Sequence, residues 1–212
     1  RVVCFFFYYR GTALPESYYG NAFVCEPSGN LIKRNVVVEN GFTLSAYDAA
    51  PGKEFLASTD ERFRPVHITS GPDGALYVAD MYKGVIQYGA YMTPYLREQT
   101  LSRKLDQSVH YGRIWRIVAK NHKATSVAKL SAASTEMRVA QLASANGWTR
   151  DVAQRLLVEK NDTTSFGPLK ETALKSENHL ARFHALWTLQ GLKYQNTDFL
   201  FMVLEDENII VR

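Results

Sequence analysis

The sequence predicts a multidomain β-plus-α chain, with a β-strand assembly over residues 1–122 and an α-solenoid of HEAT-like helix pairs over residues 123–212. Three observations support this prediction. Short β-type runs alternate with turns rich in Gly, Pro and Asn in the first part. Gly becomes scarce after residue 122. A motif that begins with Asn then recurs at intervals of about 30 residues, which is typical of helical repeats.

The first part has the pattern of a sandwich, a barrel or a propeller, because its strands are short and closely spaced. Two strand–turn–strand units, residues 21–34 and 66–86, lie within about 50 residues of each other and suit propeller blades. One helix, residues 95–105, interrupts the strands, with Pro94 at its start. The predicted strands are 2–9, 21–25, 31–38, 43–46, 55–58, 66–69, 75–79, 84–87 and 112–118.

The second part carries the internal repeat. Asn146, Asn178 and Asn208 stand 32 and then 30 residues apart, each followed by an apolar residue two positions later and by Arg four positions later. Asn is a preferred N-cap, so each copy should begin a helix. Paired helices at this interval indicate an α-solenoid of HEAT type. The helices predicted between the copies are 135–143, 168–175 and 198–204.

The repeat also predicts roles for its large side chains. Because Arg150 and Arg182 occupy the same position in successive copies, we expect them to form a ladder between repeats. Trp148 and Trp187 are expected to fill the helical core. Since the sequence opens on Arg1 rather than Met, and residues 208–212 look like a helix that has only begun, we expect a fragment of a longer protein.

Composition disfavours several classes of function. The net charge of +4 comes from 25 Lys and Arg against 21 Asp and Glu, without a basic stripe, which disfavours nucleic-acid binding. No run approaches the roughly 18 apolar residues of a membrane span. Cys4 and Cys25 form neither a haem-attachment motif nor a zinc pattern. They could pair as a disulfide, but two buried thiols are the simpler interpretation.

Arg62 and Arg64 are the strongest candidates for a site. They precede a predicted hairpin whose turn, Gly-Pro-Asp-Gly at 71–74, combines a fixed φ with residues that tolerate positive φ. In a strand, this spacing points both guanidinium groups to one face, where they can meet carboxylates. Two interpretations remain open at this stage. The pair binds an anionic ligand, or it pairs with acids such as Asp60 and Glu61.

Asp80 and His67 are weaker candidates. Asp80 ends a predicted strand, where a carboxylate can line a channel or bind a cation, but more often caps the following turn. His67 alternates with Val66 and Ile68 along its strand, and a lone His in such a setting is more often a structural residue than a base.

The arginine pair and the hairpin after it resemble the quinoprotein sugar dehydrogenases of the glucose/sorbosone dehydrogenase family, which are six-bladed β-propellers. In that family an Arg-x-Arg pair before such a hairpin contacts the anionic quinone cofactor PQQ. The resemblance implies that Arg62 and Arg64 bind PQQ, with Asp80 as a weaker candidate.

Three features depart from the pattern of that family. Pro65 follows the arginine pair, where the soluble enzymes have Asp. The stretch 23–28, where those enzymes place a Lys on the cofactor, offers Glu26 and no Lys. The catalytic His of the family belongs to blades upstream of Arg1. The resemblance therefore implies no catalytic residue and no metal ligand in this chain, which alone should be inactive.

The chain is more similar to the large membrane-bound dehydrogenase-like proteins of planctomycete-type bacteria. These combine a propeller, HEAT-like helices and a haem-binding cytochrome c segment. The resemblance implies that residues 1–122 are the C-terminal blades of a partial β-propeller and residues 123–212 are truncated HEAT-like repeats. The matching segments are 9–11, 13–15, 19–27, 54–61 and 112–117.

The same resemblance implies the activity of the parent protein. It would be an extracytoplasmic, periplasmic oxidoreductase that oxidises a sugar or related alcohol by hydride transfer to PQQ. Association with the membrane and Ca²⁺ as a further cofactor of the parent are weaker expectations from the same resemblance. Electrons would pass to a cytochrome c module whose haem c segment is absent from this chain. A second hypothesis stays open, since propellers host many functions. It is a non-catalytic propeller–solenoid scaffold that binds carbohydrate or protein.

Overall fold

The computed structural model describes residues 5–41, 43–107, 109–123 and 126–212. The chain divides into two compact units, residues 1–123 and residues 124–212. The first unit contains antiparallel sheets and the second contains helices, so the fold is mixed β and α. Cys4 lies outside the described residues, and so does any disulfide between Cys4 and Cys25. Among those residues, no helix combines the length and the apolar character needed to cross a membrane.

The first sheet is an antiparallel meander in which each strand pairs with the next along the chain. The turn between its second and third strands contains Asn30, whose φ of 57° is tolerated because Asn is among the residues that adopt left-handed backbone. A short fifth strand adds to the same sheet by pairing with the third. The strands are β1 Phe5–Tyr8, β2 Asn21–Glu26, β3 Leu31–Asn40, β4 Thr43–Asp48 and β5 Leu56–Ala57.

The second sheet has three antiparallel strands, β6 Pro65–Ser70, β7 Leu76–Asp80 and β8 Arg113–Ile117. The predicted hairpin turn between β6 and β7 is confirmed. Gly74 has a φ of 74°, and the Asp73 carboxylate accepts the backbone N–H of Ala75. These contacts are the ones that a tight turn requires.

The prediction of a strand at residues 84–87 is wrong. The carbonyl oxygen of Gly84 accepts a hydrogen bond from the Arg64 side chain, so a side chain takes the place of a ladder partner. The helix of this unit, α1 Pro94–Ser102, begins at Thr93, whose hydroxyl accepts the Leu96 N–H at 3.2 Å. It ends three residues earlier than the predicted boundary.

The two sheets share a core of side chains that alternate along their strands. Phe23 and Cys25 point into it from β2, whereas Val24 between them faces the other side of the sheet. This alternation follows from the two-residue period of a strand. The buried members of the core are Tyr9, Leu14, Phe23, Cys25, Ile32, Ile68, Leu76 and Val78.

The described part of the second unit, residues 126–212, contains five α-helices joined by turns and short 3-10 helices. Its predicted N-caps at Asn146 and Asn178 are confirmed, since each side-chain oxygen accepts the N–H two residues ahead. Its core is mainly aliphatic, and Trp187 is 49% exposed, so the prediction that this residue fills the core is wrong. The helices are α2 Thr135–Ala140, α3 Gly147–Lys160, α4 Phe166–Lys175, α5 His179–Gly191 and α6 Thr197–Leu204.

The repeated arginines make equivalent contacts. Arg150 Nη1 donates to the carbonyl oxygen of Ser144 at 2.6 Å, and Arg182 Nη1 donates to that of Ser176 at 2.7 Å. In both copies the acceptor lies six residues before the arginine. Arg182 also pairs with Asp206 at 2.8 Å, close to the start of the third copy.

Candidate functional site

A cleft of about 440 Å³ lies at one end of the two sheets in the first unit. Its walls come from the β2–β3 turn, from the segment before β6, from the loop after β7 and from α1. Asn30 joins two of these elements, because its side-chain nitrogen donates to the carbonyl oxygen of Phe63 at 2.6 Å. The lining residues include Ser28, Glu61, Arg64, Gln99, Thr100 and Arg103.

Arg64 lies on the wall of this cleft and is held by backbone carbonyl groups. Its Nε donates to Lys83 at 3.0 Å, and its Nη2 donates to Gly84 at 2.8 Å. Its Nη1 donates to Pro27 at 2.6 Å and, more weakly, to Ser28 at 3.4 Å. The side chain thus joins the β2–β3 turn to the loop after β7.

These bonds limit what Arg64 can offer to a ligand. A guanidinium group has five N–H donors, and Arg64 makes four hydrogen bonds to carbonyl oxygens of the described residues, which leaves at least one N–H. The carbonyl groups carry no net charge, and no carboxylate of the described residues forms an ion pair with Arg64. Burial lowers the pKa of Arg64, but a guanidinium keeps its proton at any physiological pH. Arg64 therefore supplies a positive charge and one N–H, rather than a free fork for a carboxylate.

Arg62 and Arg64 do not form the same-face pair that the sequence predicts. Both precede Pro65, the first residue of β6, so neither belongs to a strand. Arg62 is not among the lining residues of the cleft, and its Nη2 donates to the carbonyl oxygen of Lys104 at 3.1 Å. Its backbone N–H binds Asp60, and this hydrogen bond is the main reason why the pKa of Asp60 lies below its ordinary value.

Arg103 is the second cation of the cleft, and the sequence reasoning missed it. It forms an ion pair with Glu61 and donates to the side-chain oxygen of Gln99 at 2.9 Å. Residues 99 and 103 lie four positions apart near the end of the predicted helix, so the spacing could have placed them on one face. Arg64, Arg103 and Glu61 together give the cleft a net positive charge.

Asp80 does not line the cleft but orders its wall. Only 2% of the residue is exposed. One carboxylate oxygen accepts the backbone N–H groups of Arg64 and Tyr82, each at 2.8 Å, and the other accepts the indole N–H of Trp115 at 3.1 Å. The contact to Tyr82 is the turn cap that the sequence favoured. Asp80 is therefore a positioning residue for the backbone of Arg64.

His67 is exposed on β6, and its ring centroid lies 4.0 Å from that of Phe5. The structure places it in a ring contact between the two sheets and outside the lining of the cleft. This location agrees with the structural role that its pattern favoured.

Residues 2–121 match a family that is described as a domain of unknown function, DUF7133. The matched stretch covers more than half of the 212 residues. The chain belongs to the DUF7133 family. No curated protein and no solved structure matches the chain. The DUF7133 description gives no activity, so the function has to be inferred from the cleft.

The DUF7133 segment contains the whole lining of the cleft. Over the described ranges of the chain, no three His, Cys, Asp or Glu side chains lie together in a group that could hold a metal ion. The donors of the cleft are instead guanidinium, amide and hydroxyl groups. This set suits an anion that carries carboxylate groups.

Proposed function

We propose that the chain is part of a quinoprotein-type dehydrogenase and that the cofactor binds in the Arg64 cleft. The observation that carries the proposal is the position of Arg64 on a cleft of about 440 Å³, without a carboxylate partner among the described residues. Clefts of 300–1,000 Å³ typically bind small molecules. The Arg-x-Arg hairpin resemblance supports PQQ, an acidic quinone, as the ligand.

The residues of the cleft fit an anion only in part. Arg64 would supply its charge and its remaining N–H to one carboxylate of PQQ. Arg103 would supply a second contact by turning away from Glu61, at a low cost because both side chains of this ion pair are about half exposed. PQQ, when bound, supplies the hydride-accepting chemistry. Arg62 and Asp80 would act through the backbone of the cleft.

The architecture proposed for the parent protein follows from the same resemblance. The two antiparallel meanders would be C-terminal blades of a β-propeller, and the Asn-capped helices would be HEAT-like repeats. The parent would act outside the bacterial cytoplasm on a sugar or related alcohol and pass electrons to a cytochrome c module.

A second candidate function is a non-catalytic scaffold that binds carbohydrate or protein. One specific observation favours it. The hydrogen bonds of Arg64 go to four backbone carbonyl groups, and such saturation is typical of an arginine that holds loops together. Under this hypothesis the cleft has no anionic ligand.

Binding of PQQ to the 212-residue chain distinguishes the two functions, because the described lining residues of the cleft belong to this chain. Affinity is measured by calorimetry with and without Ca²⁺, for the wild type, Arg103→Ala and the control Arg97→Ala, an exposed residue of α1 outside the cleft. The dehydrogenase proposal expects Arg103→Ala to weaken binding about tenfold and Arg97→Ala to leave it unchanged.

An Arg64→Lys variant keeps the positive charge but loses the forked guanidinium group. Its melting temperature measures how much the hydrogen bonds from Arg64 to the two loops stabilise the fold. The proposal would be overturned by a folded chain that binds no PQQ, or by binding that is equal in the wild type and in Arg103→Ala. Either result would favour the scaffold.

A further inference from the structure

A second cleft, of about 430 Å³, lies on the outer face of the first sheet. Val24 and Glu26 of β2 and Leu31 and Lys33 of β3 contribute to it, and the register pairs Val24 with Lys33 and Glu26 with Leu31. These residues share a face because they alternate along their strands. Glu54 completes the rim.

Glu26 is the notable residue of this cleft. Only 8% of it is exposed. Its Oε1 accepts the backbone N–H groups of Ser28 at 3.0 Å and Gly29 at 3.3 Å. Its Oε2 is buried and has no hydrogen-bond partner among the described residues. Because buried polar atoms are nearly always paired, this oxygen calls for a donor that comes from outside the chain.

The charges around the cleft specify the sign of that donor. Lys33 is the cation, and it pairs with Asp48 at 2.7 Å and lies 3.6 Å from Glu54. The hydrogen bond with Asp48 raises the pKa of Lys33, which keeps this side chain charged and engaged. The lining therefore holds two carboxylates, those of Glu26 and Glu54, and one ammonium group that is already paired with Asp48. The excess negative charge favours a cation and disfavours an anion such as PQQ.

We propose that this cleft binds a small organic cation, a primary ammonium or guanidinium group on a short aliphatic stem. The charged head donates to Oε2 of Glu26 and interacts with Glu54. The stem lies against the apolar side chains of Val24 and Leu31. This site differs from the proposed PQQ site in its charged residues and in the charge of its ligand, although Ser28 of the β2–β3 turn lines both clefts.

The test titrates the 212-residue chain with n-butylammonium, n-butylguanidinium and the neutral n-butanol, and monitors amide NMR shifts. We expect saturable binding of one or both cations at β2 and β3, and at least tenfold weaker binding of n-butanol. Glu26→Gln should weaken cation binding at least tenfold, because it removes the charge and retains an oxygen for Ser28 and Gly29. The control Glu98→Gln, exposed on α1, should bind like the wild type.

Glu54→Gln keeps the test decisive if Glu26→Gln does not fold, because Glu54 lies at the rim and its loss should weaken binding several-fold. The proposal fails if neither cation binds saturably. It also fails if n-butanol binds as tightly as the cations, or if a folded Glu26→Gln keeps the wild-type affinity. A failure here leaves the PQQ proposal untouched.

Discussion

The hydroxyl group of Tyr9 donates to the carbonyl oxygen of Gly74 at 2.7 Å and accepts the N–H groups of Ala13 and Leu14 at 3.1 and 3.0 Å. Tyr9 is fully buried, and it joins the segment after β1 to the hairpin turn of the second sheet. This contact lies at the opposite end of the two sheets from the Arg64 cleft.

Tyr9→Phe should therefore destabilise the first unit. Removal of the hydroxyl leaves the Leu14 N–H without its partner in a buried site, which typically costs about 1–3 kcal/mol, whereas the Ala13 N–H and the Gly74 carbonyl keep their hydrogen bond to each other. Chemical denaturation measures the change. Tyr95→Phe, on an exposed residue of α1, is the matched control and should be neutral. Equal stability of the two variants would contradict the role assigned to Tyr9.

Gly74→Ala should destabilise the same turn for two reasons. A Cβ at Gly74 would lie 2.4 Å from Thr12 Oγ1 and 2.6 Å from its backbone nitrogen, and the φ of 74° disfavours any residue with a side chain. Gly41→Ala has a φ of 61° and no atom within 4 Å, so it isolates the backbone effect of about 1–2 kcal/mol. The loss of unfolding free energy should be larger for Gly74→Ala. A smaller loss would show that the close approach is relieved.

Asp80→Asn should weaken the frame that holds the Arg64 backbone. The side-chain oxygen of Asn can still accept the backbone N–H groups of Arg64 and Tyr82. Its amide nitrogen would face the indole N–H of Trp115, and two donors cannot form a hydrogen bond with each other. We expect a loss of about 1–3 kcal/mol in unfolding free energy. We also expect altered Trp115 fluorescence. Asp106→Asn, on an exposed residue, is the control. A neutral Asp80→Asn would contradict the positioning role.

Asp206 should make the stability of the second unit depend on pH in the acidic range. Burial alone would raise the pKa of Asp206, but hydrogen bonds from Arg182 and from the Asn208 backbone outweigh it and hold the pKa below its ordinary value. Such a group stabilises the fold above its unfolded pKa of about 3.9, and this stability is lost as the pH falls through the lower folded pKa.

Asp206→Asn tests this dependence. The variant should be less stable than the wild type at pH 7, by about 1–3 kcal/mol, and the difference should narrow as the pH falls below 3.9. Thermal unfolding across this range measures it. If the difference in stability between the two proteins stays constant with pH, the role proposed for Asp206 is contradicted.

The sequence predicted local structure better than side-chain contacts. The hairpin turn after β6 and the caps at Asn146 and Asn178 were predictable because each depends on the conformational preferences of a few adjacent residues. The absence of a strand at 84–87 was not predictable, because the Gly84 carbonyl oxygen accepts its hydrogen bond from the side chain of Arg64, twenty residues away. The exposure of Trp187 depends on tertiary packing, which a helical period alone does not determine.

The same limit applies to the cleft. The spacing of the two arginines singles out Arg64, but both residues precede β6, so the alternation of side chains along a strand does not place Arg62 on the same face. Arg103 comes from a helix about 40 residues further along the chain, and only the packing of α1 brings it to the cleft. Asp80 was recognised as a turn cap, while its bond to Trp115 required the pairing of β7 with β8.

The arginines of the helical unit have a consequence for how such a chain can evolve. Arg150 and Arg182 each satisfy carbonyl groups just ahead of the N-cap in their own copy. Because these carbonyl groups are satisfied within their own copy, loss of one copy would leave the same hydrogen bonds of the other in place. The ion pair of Arg182 with Asp206, in contrast, ties its copy to the segment that follows.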